Sequence, residues 1–595
     1  MDTVNITING REYTVPAGIT ILEAARQNGI HIPTLCFLKD LNQIGACRMC
    51  LVEVEGAKAL QASCVYPVSD GMVVRTDSPA VCKSRKAILE LILSNHDCKC
   101  YTCIRSGNCE LQTLARNLNV NRVEFEGKNI NYEIDDLSSS IIRDNNKCVL
   151  CRRCIAACER QGTAVLTAKN RGFRTSVGPI YDKSLKDVGC MMCGQCIQAC
   201  PTGALQGNSH LKQVWKAINK PELHVVFQTA PAVRAALGEE FGLPIGTPVT
   251  GKMVAAIRRL GVDKVFDTNT GADLTIMEEG TELLGRLQNG GTLPMITSCS
   301  PGWIKFCENN YPDLLPHLSS CKSPHTMLGA IIKSYYAKKQ GIDPHNIYVV
   351  SVMPCTAKKY EIERPEMEVD GLRDVDAVIT TRCLARMIKE KCIDFVNLPE
   401  EEFDSPMGGA TGAAVIFGTT GGVMEAALRT VGEVVKGEHL DEIEFQSIRG
   451  QKDKRKEVVV DLPGMKLKGC VVSGTGNAKA LLDEIRAGEC EYHFIEIMGC
   501  PGGCVLGGGQ PILDAATRNS GIDVFDLRSK ALYSEDRGSK LRRSHENPYV
   551  QMMYAEYLEE PNSEKAHHLL HTTYSAKEKM PLDLPSRKSI NVKTK

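Results

Sequence analysis

The 595 residues are too many for one hydrophobic core and should divide into several domains. Hydrophobic residues make up 43%, an ordinary globular level with no run of about 18 apolar residues that reads as a membrane span, and the formal net charge of +0 gives no ground for a nucleic-acid or anionic-membrane partner. One feature stands out, a total of 27 cysteines. The N-terminus, M-D-T-V-N-I-T-I, has neither the basic nor the apolar region of a secretory signal, so the expected location is cytoplasmic. Thiols stay reduced there, and metal ligation or redox chemistry accounts for so many cysteines better than disulfides do.

Residues 1–79 begin with two alternating runs around Asn9-Gly10, a strong hairpin signal, followed by the helical stretch T-I-L-E-A-A-R-Q-N-G. A hairpin and a crossing helix open a β-grasp module. Cys36, Cys47, Cys50 and Cys64 follow, one tight C-x2-C pair with two distant members, which suits a ferredoxin-type [2Fe–2S] cluster; a zinc site usually pairs two C-x2-C knuckles instead.

Residues 80–120 hold His96, Cys100, Cys103 and Cys109 as H-x3-C-x2-C-x5-C, one imidazole and three thiolates. A [4Fe–4S] cluster suits this set, and zinc can accept the same donors. Cys98 lies inside the segment but outside the pattern.

Residues 138–210 carry C-x2-C-x2-C-x3-C twice, as Cys148, Cys151, Cys154, Cys158 and as Cys190, Cys193, Cys196, Cys200 with Pro201. In the bacterial ferredoxin run the fourth cysteine serves the other cluster. One [4Fe–4S] is therefore expected on Cys148, Cys151, Cys154 and Cys200, and a second on Cys190, Cys193, Cys196 and Cys158. Up to about residue 210 the chain reads as an electron wire.

From about residue 220 the pattern changes. Apolar runs such as H-V-V-F-Q, K-V-F-D-T, P-M-I-T-S, I-Y-V-V-S-V, A-V-I-T-T and Y-H-F-I-E-I alternate with helical stretches such as V-T-G-K-M-V-A-A-I-R-R-L-G. This predicts an α/β domain over 220–527 with mainly parallel sheet, whose ligands bind beyond the carboxyl ends of the strands. Three cysteine motifs lie at that edge: T-S-C-S-P-G-W, M-P-C-T-A-K-K and M-G-C-P-G-G-C-V-L-G-G-G-Q-P.

These segments resemble the three signature motifs of [FeFe]-hydrogenases, and the upstream cysteine groups resemble that family's long, multi-cluster form over roughly residues 1–575. The fold implied is an α/β catalytic domain with mainly parallel sheets, preceded by a β-grasp [2Fe–2S] ferredoxin-like domain and small α+β Fe–S domains. The cofactors implied are one [2Fe–2S] cluster, three [4Fe–4S] clusters and an H-cluster, a [4Fe–4S] cubane joined through cysteine to a di-iron unit with CO, cyanide and azadithiolate. The activity implied is interconversion of H2 with protons and electrons. By motif, Cys355 and Cys500 match cubane ligands and Cys504 the ligand that also bridges to the di-iron unit. Lys358 resembles the lysine that hydrogen-bonds a cyanide, and Pro231, Met353 and Met498 resemble apolar residues packed around it. In T-I-M-E-E-G-T-E-L-L-G-R-L, Glu279, Glu282 and Arg286 share one helix face, which read by itself is a solvated charged face. By resemblance these residues, with Ser319 and the thiol of Cys299, form a proton path.

The family motif has two adjacent cysteines, and this chain has Cys299 followed by Ser300. Three outcomes stay open: iron ligation through the Ser300 oxygen, an iron left to water, or a Cys299 that ligates and leaves the relay to Ser300. Each alters the ligand set, one of the protein's levers on cluster potential. Cys82, Cys98, Cys307, Cys321, Cys383, Cys392, Cys470 and Cys490 have no assigned role, and Cys321 stands two residues past Ser319.

Residues 528–575 resemble the family's small-subunit helices fused to the catalytic chain, with His567, His568 and His571 read as packed or surface side chains. The stretch 576–595 reads as a polar, frayed tail. The expected electron partner is a ferredoxin or an NAD(P)H-oxidising flavoprotein subunit, and an oligomer is not excluded. The rivals are an electron-transfer subunit like the arm of respiratory complex I, which has no need of Cys355, Lys358 or C-P-G-G-C, an iron–sulfur assembly factor, and an H2 sensor with an added output domain.

Overall fold

Asn9 and Gly10 both take positive φ (51° and 79°), the geometry of a two-residue hairpin turn. They join strands Thr3–Ile8 and Arg11–Pro16, which pair antiparallel in full register. The computed structural model describes residues 2–579 except 126, 128 and 452, so the residues from 580 onward in the expected tail lie outside it. The five-stranded sheet runs Arg11–Pro16, Thr3–Ile8, Met72–Arg75, Leu51–Val54, Gln61–Ala62. Helix Ile21–Gln27 crosses it, started by a reciprocal Thr20/Glu23 capping box. Ile6, Ile8, Leu22, Phe37 and Val74 fill the space between. This is the expected β-grasp module.

The next segments are short elements around loops. Helix Pro79–Ser94, capped by the Ser78 hydroxyl, precedes the His96–Cys109 loop, and helix Glu110–Asn117 follows it. The two ferredoxin-like runs share a local conformation. Leu150 and Arg152 in the first and Met192 and Gly194 in the second all have positive φ. Each run then enters a helix, Arg153–Arg160 or Gln195–Ala199. Alternating left-handed residues turn successive N–H groups inward as an anion-binding nest. Accordingly the N–H of Leu150 points at the Cys148 sulfur, that of Arg153 at Cys151, that of Met192 at Cys190 and that of Gln195 at Cys193.

The larger domain holds two four-stranded sheets. The first, Lys264–Asp267, His224–Thr229, Ile347–Met353, Ala377–Thr380, is wholly parallel. The second runs Met295–Ile296, Phe494–Met498, Met465–Ser473, Arg455–Leu462, parallel except for its last hairpin pair. Strands buried on both faces, such as Ile347–Met353 and Phe494–Met498, are near-continuous apolar runs, as a helix-covered parallel sheet requires. Helix Thr268–Asn289, 22 residues long, starts at the Asp267 cap, ends at Gly290 in the left-handed conformation, and packs on helices Pro324–Ile331 and Gly422–Lys436. On the face that carries Glu279, Glu282 and Arg286, Glu279 is buried and the other two are half-buried, so this is not the solvated face that the spacing read by itself gives.

After helices Val524–Gly538, Pro548–Met553 and Glu564–Leu570, the chain lies as a strap over the catalytic domain. The Thr572 N–H donates to the Ser320 carbonyl (2.7 Å), the Tyr574 hydroxyl to the Ser319 carbonyl (2.7 Å) and the Lys577 N–H to the Glu308 carbonyl (3.0 Å). The first residues of the expected frayed tail are thus tied down. Among the described residues no helix is long and apolar enough to cross a membrane.

Candidate active site and cluster sites

The three cysteine motifs leave the carboxyl ends of Met295–Ile296, Ile347–Met353 and Phe494–Met498, and the loops they open into meet. Pro231 enters from the end of His224–Thr229. The glycines of the third motif let the loops touch: Gly503 has φ +85°, and a Cβ on it would lie 2.7 Å from the Thr420 nitrogen. Cys355, Cys500 and Cys504 are brought together, each close enough to the others' charge to disfavour a second thiolate. Burial, then Cys355, pushes Cys500 and Cys504 up to about 12, and burial raises Cys355. Buried thiols crowded in this way ionise only if a cation joins them, which fits iron. Met353 and Met498, at the ends of their strands, are 2% and 3% exposed.

Cys299 and Ser300 are parted by the geometry. The Cys299 carbonyl accepts from the Lys358 Nζ (3.1 Å), and its thiol feels burial first, then Glu279, Lys358 and Cys504. Ser300 is the N-cap of helix Pro301–Asn310, yet its side chain makes no cap bond. Its Oγ accepts instead from the Gly499 N–H at 3.0 Å, beside Cys500. An N-cap serine normally bonds its own helix. Lys358 also pairs with Glu361 (2.8 Å), which reaches His325 (2.7 Å). Burial raises the Glu361 carboxyl, but Lys358 and His325 outweigh it and leave it at about 2.

The residues expected for the proton path also converge. Arg286 pairs with Glu282 (2.6 Å), and the Ser319 hydroxyl donates to the other Glu282 oxygen (2.8 Å). Glu279, fully buried, has both carboxylate oxygens outside any closed hydrogen bond. Burial first, then the charge of Glu282, pushes its carboxyl up to about 8. Half-buried Arg286 thus meets Glu282, Glu282 meets Ser319, and Glu279 faces Ser319 on one side and the Cys299 thiol on the other. A carboxyl held near neutral pH suits proton exchange.

Upstream, Cys36 faces Cys47, each N–H directed at the other's sulfur (3.3 and 3.5 Å), while Cys50 lies against Cys64. A hydrogen bond from Cys47 brings Cys36 down to about 6, and one from Cys64 brings Cys50 to about 7, while Cys47 and Cys64 move up. Four thiols in mutual reach fit a [2Fe–2S] cluster. His96 is half-buried, with its pKa lowered by burial, and its Nδ1 is buried without a partner; Cys100, Cys103 and Cys109 are partly buried and Cys98 is exposed. A cavity is lined by Cys148, Cys151, Cys154 and Cys200, and Cys158 lies with Cys190, Cys193 and Cys196, so the fourth cysteines do cross over.

Several connecting residues carry no cysteine-like flag and escape a reading of the sequence. The Asn42 amide donates to both the Cys36 carbonyl (2.8 Å) and the Cys151 carbonyl (3.1 Å). Arg153, fully buried, forks onto Glu110 (2.7 and 2.8 Å) and donates to the Phe37 carbonyl (2.8 Å). Arg105 donates to the Cys200 carbonyl (3.0 Å). At the far end Gln161 donates to the Gly499 carbonyl (2.7 Å), Gln195 to Leu506 (3.1 Å), and Thr356 to Met192 (2.7 Å). A Cβ on Gly508 would lie 2.2 Å from the Cys193 carbonyl oxygen. The second ferredoxin-like run thus rests directly on the loops that carry Cys355 and Cys500. The position of Arg105, Arg153, Gln195, Thr356 and Gly508 inside or beside cysteine motifs offers a signal, which Asn42 and Gln161 lack.

Comparison with known proteins agrees with this arrangement. Residues 223–508 match the C-terminal domain of the iron only hydrogenase large subunit, 1–79 a 2Fe-2S iron-sulfur cluster binding domain, and 85–124 the NADH-ubiquinone oxidoreductase-G iron-sulfur binding region. Residues 147–204 match a 4Fe-4S dicluster domain and 522–577 the iron hydrogenase small subunit. These matches, with the site geometry, define an iron–sulfur oxidoreductase in which several Fe–S domains precede a catalytic domain. The NADP-reducing hydrogenase subunit HndD of Solidesulfovibrio fructosivorans is 49% identical over 98% of this chain and 100% of its own length. Iron hydrogenase 1 of Clostridium pasteurianum is 44% identical over 96% of this chain and 99% of its own. Among solved structures, an apo variant of the [FeFe]-hydrogenase HydA1 from Chlamydomonas reinhardtii is 46% identical, with a TM-score of 0.55, over 62% of this chain and 100% of that one. The chain belongs to the [FeFe]-hydrogenases and is a hydrogenase with [2Fe–2S] and [4Fe–4S] domains and an H-cluster.

Proposed function

We propose that this chain is the catalytic subunit of a cytoplasmic hydrogenase that interconverts H2 with protons and electrons, organised as 1–79, 80–120, 138–210, 220–527 and 528–575. The observation that carries this reading is the meeting of Cys355, Cys500 and Cys504 with the second ferredoxin-like run on one side and Glu279–Cys299 on the other. Cys355, Cys500 and Cys504 would hold the cubane, Cys504 at the motif position that in the family also serves the di-iron unit. The H-cluster, when bound, supplies the two-electron chemistry of H2. Lys358 presents a fixed ammonium to the anionic ligands of that cofactor, held in aim by Glu361. Pro231, Met353 and Met498 exclude water around it.

Cys299 passes protons between the cofactor and Glu279, and Ser319, Glu282 and Arg286 carry them to solvent. Ser300 stands at the fourth cubane position with its oxygen beside Cys500; the hydrogen bond to Gly499 supports this over the alternative in which Cys299 turns to ligate. Cys36, Cys47, Cys50 and Cys64 hold a [2Fe–2S] cluster. His96 with Cys100, Cys103 and Cys109 holds a [4Fe–4S] cluster, and the crossed ferredoxin-like sets hold two more, so that electrons pass along the chain. Similarity to a subunit named as NADP-reducing favours an NADP(H)-linked flavoprotein partner over free ferredoxin.

The test is maturation with the di-iron cofactor, infrared spectroscopy in the CO/cyanide region and an H2 assay with each donor. CO/cyanide bands with turnover are expected; no bands on a folded, cluster-loaded protein overturns the reading. Faster turnover with reduced ferredoxin alone than with a flavoprotein and NADPH overturns the choice of partner.

A further inference from the structure

Cys321 and His571 take no part in the clusters or the proton path, and the fold brings the two together. Cys321 sits directly opposite His571 in an isolated antiparallel bridge. The backbone locks this register on either side, through the Lys322 N–H to the Leu570 carbonyl (2.8 Å) and the Thr572 N–H to the Ser320 carbonyl (2.7 Å). Residues directly opposite in an antiparallel pair project to the same side. Helix Thr268–Asn289 lays Glu282 against them, its Oε2 3.9 Å from the Cys321 sulfur. A carboxylate oxygen of Glu282, the Cys321 sulfur and a ring nitrogen of His571 all lie within 4.8 Å of one another. None of these three is a cluster ligand.

We infer that Glu282, Cys321 and His571 form a binding site for a zinc-type divalent cation on the proton path. Thiolate, imidazole and carboxylate are the donor set of zinc, and three protein ligands leave a position for water. The surroundings favour a cation. Cys321 and His571 are 1% and 8% exposed. Glu278, one helical turn from Glu282, and Glu279 crowd the same space, and burial followed by Glu282, Glu279 and Glu278 raises the Cys321 thiol well above its ordinary range. A metal replaces that thiol proton and relieves the crowding. His571 Nε2 already has the second partner that metal-bound histidines commonly keep, the Glu278 carboxylate at 3.1 Å, which the Tyr554 hydroxyl also holds; its Nδ1 now pairs with the Ser320 hydroxyl at 2.8 Å, which a metal there would displace.

Occupation takes the Glu282 oxygen away from the Ser319 hydroxyl, one of its present donors beside Arg286 and the Ser320 N–H, and closes the relay; this consequence rests on the proton path proposed above, whereas the site itself does not. The test uses matured holoenzyme with zinc chloride. After desalting, about one retained zinc with a Zn–S distance of about 2.3 Å in zinc-edge X-ray absorption is expected, with H2 turnover slowed and restored by EDTA. Cys321→Ser and His571→Gln should keep basal turnover, lose the bound zinc, and raise the half-inhibitory zinc concentration about tenfold or more. Absence of the Zn–S signal in the unaltered enzyme overturns the site. So does equal inhibition of both variants, the result if zinc attacks the clusters. A Zn–S signal lost in Cys321→Ser, with turnover unaffected by zinc, keeps the site and overturns the passage of protons through Glu282.

Discussion

The ferredoxin-like segment 138–210 and the catalytic domain solve the same problem, holding iron on cysteine, by opposite means. In the former, ligands are supplied by short contiguous runs on loops, the ribbons are three residues long, and side chains from cluster sites make up much of the small core, including Cys148, Cys154, Cys158, Cys190, Cys196 and Cys200. In the latter, each ligand loop comes from a different strand end, and the sheets lie within large cores centred on residues such as Phe227, Val350, Leu328 and Met424. A scaffold that contributes its own hydrophobic burial can preform a site before metal arrives; one that borrows its core from thiols cannot.

The largest expected break in this comparison comes from iron removal. Hydrogen exchange should show residues 138–207 losing protection while Ile347–Met353 and Phe494–Met498 keep theirs; equal loss in both regions would refute the contrast. Next in size, Cys299→Ala should lower turnover by roughly 10³-fold with the CO/cyanide bands retained, the scale of a lost proton donor. If the bands vanish as well, Cys299 is a ligand and Ser300 the relay.

Two smaller effects sharpen it further. Arg153→Met removes a buried charge that ties the first ferredoxin-like run to Glu110 and Phe37. It should destabilise the N-terminal third by about 3 kcal/mol, read as earlier bleaching of cluster absorbance in denaturant, with the catalytic domain's transition unmoved. Glu279 should titrate near its raised value of about 8. It is protonated below that pH, so a carboxylic C=O infrared band is expected at about pH 7, absent in Glu279→Gln and lost on raising the pH. The sign for stability follows. The raised group is neutral in both folded and unfolded states below its ordinary 4.5, and it weakens the fold progressively as pH climbs from there to about 8. Smallest is Ser300→Cys, which should change the cubane's EPR signal with little effect on folding; an unchanged spectrum would place Ser300 away from the cubane.

What the sequence disclosed follows the same division. The cluster runs were legible because their ligands are local, and even the crossing of the fourth cysteines follows from spacing. The apolar strands were legible because burial on both faces removes alternation. The hairpin Arg455–Ser473 is absent from those apolar runs, although Arg455–Leu462 alternates between buried and exposed positions along its length. Helix Thr268–Asn289 was less legible: its spacing read by itself suits a solvated charged face and only the resemblance pointed to a proton path, whereas the fold buries Glu279 and half-buries Glu282 and Arg286. The pairing of Cys321 with His571 joins residues 250 apart in the chain, and only the folded register reveals it.

The contact between Gly508 and the Cys193 carbonyl has a kinetic meaning. Electron tunnelling decays steeply with separation, and the close approach of Gly508 to the Cys193 carbonyl keeps short the gap between the second ferredoxin-like run and the loops that carry Cys355 and Cys500. A single methyl group at position 508 would act as a shim, widening that gap and throttling current through an otherwise intact enzyme.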